Sequence, residues 1–79
     1  MVMNDTTSWI TFGKDHYHQH LEMEQWCKEN IGAGGWTQEA DVTREVFGNK
    51  IWLIHCMFGN TTFSFKEEKH LIWFKLRWT

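Results

Sequence analysis

Apolar residues recur along this chain with two different periods, and the changes of period mark its elements. Trp9-Ile10-Thr11-Phe12 is short, β-branched and aromatic and is closed by Gly13, which predicts a strand. Asp15 is a good helix N-cap, and His16 to Ile31 contains neither Gly nor Pro. At helical spacing Met23, His16, Cys27, His20 and Ile31 share one face, flanked by Trp26 on one side and by Tyr17 and Leu21 on the other. His18, Glu22, Gln25 and Glu29 fall opposite, so the segment reads as an amphipathic helix stopped at Gly32. Ala33-Gly34-Gly35 reads as a flexible connector, and Val42 to Phe47 as either a strand or a helical turn.

Ile51 to Phe58 is a continuous apolar run apart from His55, the signature of a central strand buried on both sides. Gly59-Asn60 is a two-residue hairpin signal, and Thr61 to Phe65 then alternates Phe63 and Phe65 against Thr62 and Ser64. The end of the chain fits two periods. Leu71, Phe74 and Trp78 share a helical face, while Phe74, Leu76 and Trp78 also alternate as in a strand. The acids Glu67 and Glu68 suit a first helical turn, which favours the helix. The expectation is a single α+β domain over residues 8–79 behind a flexible tail, residues 1–7. It has a small antiparallel sheet of three or four strands and two helices in the order β-α-β-β-(β)-α, a ferredoxin-like variant lacking its final strand.

Composition sharpens this picture. Six Trp, six Phe and one Tyr in 79 residues give a small chain enough ring area to close a core without disulfides. Cys27 and Cys56 form no disulfide framework and read as free thiols. A formal charge of −2 with both signs scattered provides no field for steering to nucleic acid. The apolar runs are too short to span a membrane, and Met1 to Ser8 lacks the apolar stretch of a signal peptide, so a soluble intracellular protein is expected.

Phe63-Ser64-Phe65-Lys66, then Phe74-Lys75-Leu76-Arg77-Trp78, together with Trp26-Cys27-Lys28-Glu29-Asn30-Ile31-Gly32 and Gly35-Trp36, resemble small uncharacterised proteins of tailed bacteriophages. These motifs cover about a third of the chain. The resemblance implies a compact α+β fold ending in a helix on the sheet, and a setting in the host cytoplasm. It carries no activity with it. Leu71 stands where that group leads one to expect a small residue facing the sheet, which predicts looser seating of the last helix.

Four kinds of chemistry have candidate residues. His16 and His20 are four apart, the helical spacing that lets two imidazoles share a metal. Cys27 lies about 10 Å further along a helix, and a third and fourth ligand would come from His55, Cys56 or His70. The expectation is that the histidines edge the core and that no metal or cofactor is bound. Both cysteines read as small core residues rather than nucleophiles, because Cys27 sits near a helix C-terminus and Cys56 lies mid-strand. Glu22, Glu24, Glu67 and Glu68 read as solvated helix surface. Trp52, Phe58, Phe63 and Phe65 offer a base-stacking platform for single-stranded nucleic acid, the alternative reading. The basic-and-glycine signature of such domains is absent.

The apolar surplus points elsewhere. If Leu71, Phe74 and Trp78 face the sheet from a helix, then Ile72, Trp73 and Leu76 face away. Such a patch on a soluble chain marks an interaction surface. The expected function is therefore a phage-encoded protein–protein interaction module without catalytic activity, associating with itself or with a host or phage protein. Ile72, Trp73 and Leu76 are its contacts and Lys69 and Arg77 its rim.

Overall fold

A mixed four-stranded sheet, in the order β1-β4-β3-β2, organises the chain. The computed structural model describes residues 8–13, 19–39 and 41–79. The elements are β1 (Ser8–Phe12), α1 (His20–Asn30), β2 (Gly34–Trp36), α2 (Arg44–Phe47), β3 (Trp52–Met57), β4 (Asn60–Phe65) and α3 (Glu68–Trp78). The proposed tail, the Asp15 cap and His16 lie outside the described residues. The α+β class holds. The all-antiparallel sheet and the two-helix order do not, and the ferredoxin-like layout goes with them: β2 runs parallel to β3, and a third helix joins those strands.

Alternation sorts the strands into two faces. Ile10, Phe12, Trp52, Ile54, Phe63 and Phe65 point to one side, where they close a core with Met23 and Cys27 of α1 and Leu71 and Phe74 of α3. Leu71 is almost fully buried there, so the last helix seats closely despite its size. Leu53 and Ser64 point to the other side and are buried as well. Phe47 of α2 is buried too, outside the main core. Arg44 donates to the Lys66 carbonyl at 2.9 Å and Lys66 to the Gly48 carbonyl at 3.1 Å, tying α2 to the end of β4.

Two-sided burial, expected for all of Ile51 to Phe58, holds only for Trp52, Leu53 and Ile54. Beyond them the strand runs past the elements packed on it, and Cys56, Met57 and Phe58 emerge. The hairpin turns at Phe58-Gly59, one residue earlier than expected, since Met57 pairs with Asn60. Both turn residues adopt positive φ, 53° and 85°, as a primed hairpin turn demands. This register sets Phe63 beside Ile54 and Phe65 beside Trp52, so all four bury together.

Gly34 and Gly35 do not form a flexible connector; with Trp36 they are the parallel strand β2. The reason is Trp52. Its ring lies flat against the backbone of Gly34, where any Cβ would collide with it, and its indole N–H donates to the Gly32 carbonyl at 2.8 Å. Only glycine leaves room for that ring beside a strand.

Candidate functional site

Helix α3 places its residues as a helical wheel requires. Leu71 and Phe74 face the sheet, and Trp78 is half-buried beside them. On the outer side Ile72 is 52 %, Trp73 45 % and Leu76 81 % exposed. These three form the apolar patch, and a strand buried on both faces is ruled out for this segment. Trp73 is also anchored. Its ring meets Trp26 of α1 edge-on at 5.4 Å, which stiffens the side of the patch nearest α1.

The basic residues at its margin are held loosely. Lys69 stands 3.9 Å from Glu67 with both side chains largely in solvent, so the pair fixes little. The Arg77 guanidinium lies 4.1 Å over the Trp78 ring. Next to it a groove of about 290 Å³ runs between the helices, lined by Glu22, Gln25, Trp26, Glu29, Arg77 and Trp78. Lys69 and Arg77 thus both lie exposed on α3, and the groove sets Glu22 and Glu29 of α1 beside Arg77.

A second hollow, about 440 Å³, opens where β2 ends and β3 continues, between Trp36, Thr37, Gln38, His55, Cys56 and Met57. Trp36 is pinned as its wall. Its indole N–H donates to the Glu24 carboxylate at 3.1 Å, and its ring meets that of His20 edge-on. Glu24 also pairs with Lys28 at 3.5 Å and is largely enclosed, so it is a structural clamp rather than solvated surface. Cys56 is exposed here and not a core residue as expected, because β3 has outrun its covering elements. Its thiol lies 3.5 Å from the Thr61 hydroxyl, whereas His55 points to the opposite face.

Cys27 behaves as expected of a core thiol. Burial, with the Glu24 carboxylate adding to it, pushes its pKa up to about 12, so it stays protonated at neutral pH. Among the described residues no three His, Cys, Asp or Glu side chains stand close enough to hold a metal; His16 lies outside them. The base-stacking platform is not formed. Trp52, Phe63 and Phe65 lie wholly beneath the helices, and only Phe58, on the hairpin turn, is exposed.

Two exposed apolar features went unread in the sequence. Trp9 is 59 % exposed on the sheet face away from α1 and α3, and Phe58 is 94 % exposed. Alternation in Trp9-Ile10-Thr11-Phe12 held the signal for the first, since Ile10 and Phe12 are the inward pair. The second depended on the turn position. No helix among the described residues is long and apolar enough to cross a membrane. Compared with protein-family models, curated proteins and solved structures, the chain matches none.

Proposed function

We propose that this chain is a small protein–protein interaction module that works through the outer face of α3 and performs no bond chemistry. One observation carries the reading: Ile72, Trp73 and Leu76 stand exposed on a helix whose inner face already closes the core. Water-exposed apolar side chains gain about 25 cal/mol for each Å² that a partner covers. Tryptophan is the side chain most enriched where binding energy concentrates. Lys69 and Arg77 form the charged rim that such patches carry. The partner is a second copy of the chain or a host or phage protein; the resemblance of its motifs to small phage proteins supports a setting in the host cytoplasm. The protonated Cys27 and the separation of Cys56 from His55 support a non-catalytic role.

The test compares a tagged wild-type chain, expressed in its natural host, with Leu76→Ser and Trp73→Ser. Leu76 touches solvent more than protein, so its replacement should leave the melting temperature unchanged and release whatever the wild type holds. Trp73→Ser should also release it, at a cost in stability of about 1 kcal/mol from the lost Trp26 contact. If both folded variants retain every partner of the wild type, the outer face of α3 is not the interface.

A further inference from the structure

The strongest unassigned feature is the free edge of β1. In paired strands successive residues turn their backbone groups to alternate sides. Thr37 N donates to the Ile54 carbonyl, so Trp52, Ile54 and Cys56 face β2, and Leu53, His55 and Met57 bond to β4. Their partners Ser64, Thr62 and Asn60 are thereby used, leaving Phe65, Phe63 and Thr61 to bond Ser8, Ile10 and Phe12. The N–H and C=O groups of Trp9 and Thr11 are left along the outer edge, with no backbone hydrogen bond to either among the described residues. The strand reads Ser-Trp-Ile-Thr-Phe, without the charge or proline that commonly blunts an edge.

We propose that a second copy of this chain pairs along that edge, β1 antiparallel to β1 about Ile10, fusing two sheets into one. The edge is self-complementary. Trp9 of one copy faces Thr11 of the other and exchanges both backbone hydrogen bonds with it, and the two-fold axis repeats the exchange. Both Trp9 rings fall on the same sheet face as diagonal neighbours, within aromatic reach.

Helix α3 supplies the second half of the joint. It rests across β1 and β4. With strands about 4.8 Å apart, edge pairing brings the two copies of α3 side by side, antiparallel, at about the 8–10 Å of packed helices. Trp73 and Phe74 contact α1 through Trp26, so the helical period puts Glu68, Ile72 and Lys75 on the flank towards the β1 edge. Antiparallel helices then set Glu68 of one copy towards Lys75 of the other, with the half-exposed Ile72 between them. The inference deepens the interaction-module reading by naming a second copy, and it shares only Ile72 with the patch proposed above.

Sedimentation of the full chain across a wide concentration range tests it. The mass should rise from 9.6 kDa towards twice that value, and exchange of the Trp9 and Thr11 amides should slow with it. Thr11→Pro removes an outward N–H while sparing the β1–β4 ladder, and Trp9→Lys places a charge at the edge. Either variant, folded by circular dichroism, should stay at 9.6 kDa throughout. A wild type that stays monomeric, or a folded edge variant that still dimerises, overturns the proposal. Leu76→Ser should keep this dimer. If Leu76→Ser instead abolishes association and Thr11→Pro does not, self-association belongs to the outer face of α3; edge pairing then fails and the broader reading stands.

Discussion

Phe74 is the point on which the fold should turn. Its ring is fully buried and meets five others, with centroids 4.9 Å from Phe63, 5.2 Å from Phe65, 5.9 Å from Trp26, 6.1 Å from Phe12 and 6.5 Å from Trp78. Those rings come from β1, α1, β4 and α3 itself, so one side chain joins both helices to the sheet. Truncating a buried Phe to Ala costs roughly 3–5 kcal/mol. Ring contacts worth about 0.5–1.5 kcal/mol beyond area burial place this site at the top of that range. A chain of 79 residues holds only about 4–12 kcal/mol in all. Phe74→Ala should therefore lose about 40 % or more of the stability, whereas Phe74→Leu, which keeps much of the volume, should lose about 1–2 kcal/mol. Urea titration followed by far-ultraviolet circular dichroism measures both. A loss below about 1.5 kcal/mol for Phe74→Ala would show that α3 is not seated through this ring.

Three other sites carry further predictions. Gly34→Ala should cost about 1–3 kcal/mol by driving a methyl into the Trp52 ring, read as a lower urea midpoint; an unchanged midpoint refutes the close approach. Cys27 should resist alkylation at pH 8 while exposed Cys56 reacts, as mass spectrometry of the labelled chain will show. The native chain holds the Cys27 proton up to about pH 12 and the unfolded chain releases it near 9.0, so stability should fall with rising pH between those values. That slope, up to about 1.4 kcal/mol per pH unit, should vanish in Cys27→Ala. Phe58→Asn should raise stability by about 1 kcal/mol, because an exposed Phe at φ 53° carries a left-handed penalty that Asn largely avoids; a lower melting temperature would contradict this.

The parts of the fold legible in the sequence are those that a single element decides. The face of α1 carrying Met23 and Cys27, the inward pair Phe63 and Phe65, and the split of α3 into Leu71 and Phe74 against Ile72 and Leu76 all follow from periodicity within one segment. The misread parts depend on a neighbour. Gly34-Gly35-Trp36 looks like a linker until Trp52 lies against it. Cys56 and Met57 look buried within their apolar run, but β3 carries them past the elements that cover its first half. The turn at Phe58 depends on which registry buries Trp52, Ile54, Phe63 and Phe65 at once. In the candidate site the patch residues could be read in advance, but the Trp26–Trp73 anchor and the open β1 edge arise from tertiary placement.

The distribution of rings ties the two proposed surfaces together. Trp52, Phe12, Phe47, Phe63, Phe65 and Phe74 fill the interior, while Trp9, Trp36, Trp73 and Phe58 stay exposed. α1 and α3 close one sheet face, while Trp9 stands exposed on the other. A two-fold axis through paired β1 strands runs perpendicular to the sheet, so it keeps both copies of α3 on the same side. The proposed dimer would thus present two Trp73–Leu76 patches in one direction. A partner that itself repeats, such as a symmetric assembly, would engage both at once, and the second contact would form at high effective concentration. On these two proposals avidity would distinguish the surfaces by role: β1 would set how many patches a particle carries, and the outer face of α3 what each one binds. On this reasoning Thr11→Pro should weaken binding to a repeating partner and spare binding to a single-site one, whereas Leu76→Ser should weaken both.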